Sequence, residues 1–447
     1  MKNCGSEKIL TYFLIVFLAD TILGGPIGLF FRGERHLILA FIVMLGLYLW
    51  FKKQIQLPHK KIFMWRSYLL WPLWFFLVSL IWVFAVPVSV GGSLVFALED
   101  AQSLLLLPVA SLMMYVLQDI KTSKVLLLTV VWTVTVLAVL QVGIWLWLEF
   151  FPTTPENYYH YVQAIFNTKD SIFIFWQPSA SGGYVRIFWI SSIWLAIAVF
   201  VTPIVVKKRW VVIVEFILVF AICASYTRGL WLGVGAGMLL CTMVNYIVLL
   251  KKNQVPMVVN WGRALIGMLC AVVIFSSVDY FVRGQAGLFS RLDFITEASK
   301  STEASLTERK IQSRMLLRKW QERPWMGFGY GAYIIDHHSV DSRPYLYEMM
   351  PFALLMKLGV IGFLLYLAAI LGLLLSIVKV RANPGNKLMF SGAIIAFFLV
   401  VNTNPVLYSF VGMGAVLFIL IWWAEIMFIV NDGVLFVGEV PSEADIN

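Results

Sequence analysis

Long apolar runs separated by short polar links dominate the chain. They cover approximately 9–30, 37–51, 67–86, 101–117, 125–147, 187–206, 210–226, 229–250, 264–281, 351–378, 388–403 and 406–430. A helix needs about 20 apolar residues to cross the hydrocarbon layer. The pattern therefore predicts an all-α polytopic membrane protein with about twelve transmembrane helices.

Two links are far longer than the rest, 148–186 and 282–350. Loops longer than about 12 to 15 residues are usually functional or disordered, and the second is not disordered in composition. Within it SLTERKIQSRMLLRKWQE, starting near Ser305, predicts a helix stopped by Pro324. At about 100° per residue, Leu306, Leu316, Leu317 and Trp320 gather on one side with Arg309 among them, while Lys310, Arg314 and Arg318 fall on the far side. An arginine on the apolar face of such a helix must snorkel or be paired, either with an acid of the same loop or with a polyanionic ligand.

Composition strengthens the membrane reading. With 61% hydrophobic and 13% charged residues and a mean hydropathy of +0.86, the chain cannot present a water-compatible surface around one core. Its 18 Trp, 17 Tyr and 34 Phe suit the aromatic belts of many spans. The net charge of +10 does not indicate nucleic acid, because the basic residues lie in short runs between apolar segments. One alternating set of links holds Lys2/Lys8, Lys52/Lys53/Lys60/Lys61/Arg66, Lys121/Lys124, Lys207/Lys208/Arg209, Lys251/Lys252/Arg263 and Lys379/Arg381/Lys387. The positive-inside rule makes these cytoplasmic, leaving both long loops and the SYTRG link at Ser225–Gly229 outside. An even span count puts both termini in the cytoplasm. The first run lacks a small-residue cleavage site and reads as an uncleaved span.

The expected organisation is nine transmembrane helices with the outer loop 148–186 over 1–281, a large extracytoplasmic loop over 282–350, three more spans over 351–430 and a cytoplasmic tail over 431–447. No fixed-period repeat is visible. Cys4, Cys223, Cys241 and Cys270 are scattered and form no disulfide framework or metal signature.

Polar residues at the outer face are the candidates for chemistry. Arg228, between two strongly apolar spans, either anchors at the interface or faces an anion. Gly229, Gly233, Gly235 and Gly237 after it form a small-residue packing face. Glu99 and Asp100, at the outer mouth of the fourth span, suit a structural ion pair or a substrate hydroxyl. Arg186 opens the sixth span after the SASGGY turn. His337 and His338 are two of only five histidines; adjacent side chains diverge, so no metal site is expected, whereas a neutral imidazole at a cavity mouth can act as general base. Glu348, three residues before Pro351, is the competing base.

Three pieces, in order, resemble the O-antigen ligase and polymerase superfamily of polytopic glycosyltransferases: the SYTRG junction, the stretch from Arg309 through RPWMGFGYGAY, and LMKLGVIGFLLYL. The first is similar to an SRG-type motif, the second to an arginine, amphipathic helix and Pro-x-x-Gly-x-Gly pattern, the third to a Gly-leucine-isoleucine-Gly span start. The match covers about a third of the chain, 220 to 375. The resemblance implies transfer of glycan from an undecaprenyl-diphosphate-linked donor to a hydroxyl of a glycan or lipid-glycan acceptor, at the outer face of a bacterial cytoplasmic membrane and without metal or other cofactor. It implies that Arg228 and Arg309 hold the diphosphate, with Arg186 and Arg314 as further cations, and that a loop histidine, His338 or its neighbour His337, activates the acceptor. The chain departs from the pattern where members carry a His-Asn-x-x-Leu-like stretch, since Glu348 stands there, and RIFWISSIWLA replaces an Asn-Pro-Asn-like element.

Two other classes compete. A transporter or flippase of lipid-linked oligosaccharide, or a small-anion carrier, would show two related halves and midplane charges, and neither is apparent. A cell-wall glycan polymerase of the shape-and-division type would need an essential loop acid, which Glu348 or Asp336 would supply.

Overall fold

The computed structural model of the chain describes residues 4–24, 34–56, 70–117, 120–150, 172–177, 184–250, 260–283, 304–335, 344–379, 383–402, 407 and 409–428. Helices α1 (Cys4–Leu23) and α2 (Glu34–Gln56) are followed by α3 (Trp71–Ser89), α4 (Leu94–Val116) and α5 (Ile120–Phe150). Then come α6 (Ile190–Val205), α7 (Lys208–Ala224), α8 (Arg228–Leu250) and α9 (Trp261–Arg283). Helix α10 (Ala304–Glu322) lies in the large loop, and α11 (Met350–Lys379), α12 (Pro384–Val401) and α13 (Phe410–Phe428) complete the bundle.

Each predicted apolar run coincides with one of these helices, but they are not equal as spans. Among the described residues eight helices (α2, α3, α4, α5, α8, α9, α11 and α12) are long and apolar enough to cross a membrane. Helix α6 is apolar but shorter, as is the stretch Phe410–Ile426 of α13. Helix α1 carries Glu7, Lys8 and Asp20, and α7 carries Lys208, Arg209 and Glu215, which lowers their apolar character.

The bundle is helical, as expected, and the first long connection adds one small element to it. Ile172–Gln177 (β1) and Tyr184–Trp189 (β2) pair as an antiparallel hairpin within the first long loop. IFIFWQ and YVRIFW are runs of β-branched and aromatic residues, which favour a pleated strand. The chain thus enters α6 only at Ile190, and Arg186, expected to open a span, belongs to β2 opposite Phe175.

The centre of the bundle is α6. Every residue from Ser191 to Pro203 is buried, as suits a helix that is apolar all round. Helix α12 packs on both α6 and α8. The predicted small-residue face does this in part: a Cβ on Gly233 would sit 2.6 Å from the Ala396 carbonyl, and one on Gly237 2.6 Å from the Gly392 carbonyl, whereas Gly235 faces open space. Helix α11 lies at the other extreme, with Leu364, Leu365, Leu371 and Leu375 exposed, which places their apolar surface toward lipid.

Two spans are broken near the same end of the bundle. Helix α3 contains a π turn at Ile81–Ala85, and α11 is kinked at Gly359, whose φ of 62° and ψ of −173° suit only glycine. Helix interruptions leave backbone groups that must find other partners. The outer loop supplies them.

Candidate functional site

The segment RPWMGFGYGAY descends from the end of α10 into the gap between the two broken helices. At the α11 kink, Phe328 N–H donates to the Met356 carbonyl at 3.0 Å and Gly329 N–H to the Lys357 carbonyl at 2.8 Å. In return Val360 N–H donates to the Pro324 carbonyl at 2.8 Å and Ile361 N–H to that of Trp325 at 3.1 Å. At the π turn, Tyr330 N–H donates to the Trp82 carbonyl at 2.9 Å, and the Trp82 indole N–H to the Met326 carbonyl at 2.8 Å. Non-helical backbone at membrane depth is tolerated where protein satisfies it. The glycines make the fit: Gly327 and Gly329 have φ of 67° and 83°, and a Cβ on either would lie 2.5 Å from the Lys357 carbonyl or the Pro87 ring. The Pro-x-x-Gly-x-Gly stretch is therefore a plug that closes two broken spans.

Helix α10 forms as predicted and ends just before Pro324. Its packed face centres on Gln312 and Leu316, which are buried, with Trp320 beside them; Arg314 is exposed on the opposite side. The side chain of Leu306 is outside the described residues. Arg309 lies on the packed side as expected, and its Nε donates to Glu348 Oε2 at 2.9 Å. The acid-partner reading of Arg309 is thereby met, and it joins two residues picked out separately as diphosphate ligand and base. Gln312 Oε1 accepts from Met349 N–H at 2.8 Å, fixing the backbone next to Glu348.

Below this lies a sealed ion pair. Lys357 Nζ donates to Asp100 Oδ2 at 2.6 Å and to the Tyr345 carbonyl at 2.9 Å. Asp100 Oδ2 also accepts from Gly331 N–H at 2.8 Å, and the Tyr345 hydroxyl donates to Glu99 Oε2 at 3.2 Å. Asp100 is thus in a structural ion pair, and Glu99 takes a tyrosine hydroxyl. Tyr347 accepts from Ile334 N–H at 2.7 Å, and burial pushes its phenol up to about 12, the Asp100 charge adding to the rise. A cleft of about 460 Å³ opens beside the plug between Val86, Ser89 and Arg323–Gly327.

The SYTRG junction is built just as tightly. Tyr226 sits at φ 47°, uncommon for a non-glycine residue. Its hydroxyl donates to Asp279 Oδ1 at 2.6 Å, and its ring packs on Phe275 and Trp231. Thr227 bonds back to Ser225, and its carbonyl accepts from Leu230 and Trp231. This turn sets Arg228, half-buried, as the first residue of α8. Because Asp279 is near the end of α9, where the large loop departs, the junction and that loop share one end of the bundle.

The structure brings Arg309 and Glu348 together and puts Arg228 in a different packing unit, on a helix that packs chiefly against α12. The side chain of Arg186 is outside the described residues, as are Asp336, His337 and His338. Among the described residues no three His, Cys, Asp or Glu side chains gather as a metal site requires. Sequence reasoning missed Lys357 and Asp279. Each was visible as a charge inside an apolar run, a signal for function or pairing.

Comparison with known proteins bears on this same region. No curated protein and no solved structure matches the chain. Residues 213–367 match the family model described as O-antigen ligase, a segment that runs from within α7 through the junction, α10 and the glycine plug to beyond the α11 kink. The chain is a polytopic membrane protein whose segment 213–367 is similar to the O-antigen ligase family.

Proposed function

We propose that the chain is a membrane glycosyltransferase that transfers or polymerises glycan from an undecaprenyl-diphosphate-linked donor onto an acceptor hydroxyl during surface-polysaccharide assembly. One observation carries most weight. Within the segment similar to the O-antigen ligase family, Arg309 is held at the lip of the glycine plug, 2.9 Å from the carboxylate of Glu348, so a cation suited to diphosphate and an acid suited to proton transfer adjoin each other.

In the proposed reaction the acceptor oxygen attacks the anomeric carbon of the donor sugar while the bond from that carbon to the diphosphate oxygen breaks. The bonding pair leaves on the diphosphate, and the hydroxyl proton passes to a base. Guanidinium groups fixed in advance stabilise the growing charge without having to reorganise. Arg309 and Arg228 take that role, Arg228 with the amide groups of its helix N-terminus behind it. Arg186 and Arg314 are assigned to the donor's outer approaches, the exposed position of Arg314 fitting a peripheral contact. The base is His338, with His337 and Glu348 as the other candidates. Membrane lipids surround the bundle, no nucleic acid or cofactor takes part, and the twelve-span topology in a bacterial cytoplasmic membrane puts both termini inside and the site outside.

Expression of Arg228→Ala, Arg309→Ala, His338→Ala and Glu348→Ala variants in a strain lacking the chain tests this reading through surface-glycan length on gels. Both arginine variants should be present in the membrane and fail to build glycan. Purified wild type that moves lipid-linked oligosaccharide across vesicles without forming glycosidic bonds would replace this reading with the flippase.

A further inference from the structure

We infer that Asp100 and Lys357 are positioning residues for the proposed transfer, acting as one buried clasp on the backbone at Gly331, at the end of the glycine plug, and at Tyr345, three residues before Glu348. The inference rests on the glycosyltransferase reading for its catalytic part and on geometry alone for the clasp.

Gly331 N–H is held by Asp100 Oδ2 at 2.8 Å, and the Tyr345 carbonyl by Lys357 Nζ at 2.9 Å. Those two atoms are themselves 2.6 Å apart. Gly331 and Tyr345 therefore meet at a single ion pair, whose members come from α4 and α11, 257 positions apart in sequence. Two further bonds brace these segments, Ile334 N–H to the Tyr347 hydroxyl and the Tyr345 hydroxyl to Glu99. Gly331 is shaped for the clasp: at φ 75°, a Cβ there would come within 2.4 Å of the Ala97 backbone nitrogen and lift the backbone away from Asp100.

Stability alone is a poor reason for this arrangement. The Asp100 and Lys357 side chains are only 1% and 3% exposed, and well-packed apolar residues in place of a buried ion pair are often equally or more stable. Asp100 Oδ1 is buried without a hydrogen-bond partner among the described residues, so the pair is not optimised for its own energy. Apart from each other, its hydrogen-bond partners are the backbone groups of Gly331 and Tyr345. A clasp of this kind fixes geometry, and displacement of about 1 Å at a reacting group can lower a rate about 10²-fold.

The test compares two double variants of the full chain in membranes. Asp100→Leu with Lys357→Met removes charge and hydrogen bonding together, whereas Asp100→Asn with Lys357→Gln removes charge and keeps donors and acceptors. For the first, amide exchange over 327–335 and 344–350 should rise while the spans stay protected, and turnover should fall about 10²-fold with the KM for lipid donor little changed. The second should recover most of the turnover and protection. Gly331→Ala, which leaves the ion pair intact, should reproduce the loss if the leucine-methionine variant fails to fold. Normal exchange and turnover in a folded leucine-methionine variant would overturn the inference, as would a loss confined to the amount of folded protein. Absence of any transfer by the wild type would sink the functional reading instead, and the exchange comparison would still decide whether the clasp exists.

Discussion

Two ion pairs lie at the base of the outer loop, Arg309–Glu348 at its lip and Asp100–Lys357 beneath it, and their surroundings give them different uses. The first is 31% and 50% exposed on its two side chains. An exposed pair is worth under about 1 kcal/mol, because water and mobile ions screen it. In the proposed transfer an incoming diphosphate would take Arg309 from Glu348 with little loss of stability, and would offer the guanidinium two oxygens in a matching plane. The second pair is sealed, and loss of one partner leaves the other charged in a medium that cannot solvate it. Exchange suits the outer pair and permanence the inner one.

The largest expected effect follows from the inner pair. Lys357→Met alone should destabilise the chain by about 3 to 5 kcal/mol by stranding Asp100, and adding Asp100→Leu should recover most of that loss. Thermal melts followed by tryptophan fluorescence in detergent would show whether the double variant melts above the single one, and an equal or lower melting point would erase the contrast. Gly359→Ala comes next. Its backbone conformation excludes side chains and a Cβ would lie 2.3 Å from the Trp325 carbonyl, so about 3 kcal/mol should be lost, with increased proteolysis of the loop as the direct readout.

A smaller effect is expected from pH. The Tyr347 phenol is raised from an ordinary value near 10 to about 12 in the folded chain. Its contribution is complete below about pH 10 and is lost as pH rises toward 12, because the unfolded loop ionises first. At pH 11 about 1 kcal/mol of loop docking should be gone, a transition that Tyr347→Phe should remove from a fluorescence titration. The smallest change in stability belongs to the outer pair: Glu348→Gln should shift it by less than about 1 kcal/mol. A fall comparable to that of Lys357→Met would mean that the two pairs do not differ as argued.

Much of the frame was legible in the sequence because it depends on local composition. Apolar runs located the helices, and Pro324 located the end of α10. Arg309 was placed on the packed face by periodicity, although the buried row runs through Gln312 and Leu316 rather than Leu317. The β hairpin had its signal in IFIFWQ and YVRIFW, which a search for spans passed over. The π turn at Ile81–Ala85 had a signal in Pro87, which has no N–H for the Val83 carbonyl, but the segment that docks on the turn was not visible in the sequence. Asp100 and Lys357 were equally obscure as partners: each looked like an isolated charge near an apolar run, and only the folded chain joins them. The Pro-x-x-Gly-x-Gly stretch was noticed for its resemblance, and its physical task, satisfying the backbone of two broken helices, became visible through Trp82 and Gly359.

The central proposal is that guanidinium groups of the segment similar to the O-antigen ligase family stabilise a departing lipid diphosphate. Its most direct test is surface-glycan length in cells that carry Arg228→Ala or Arg309→Ala in place of the wild type, with the amount of each variant in the membrane measured alongside. The account predicts normal amounts of both proteins and no extended or ligated glycan. Normal amounts with glycan of wild-type length in both strains would contradict it.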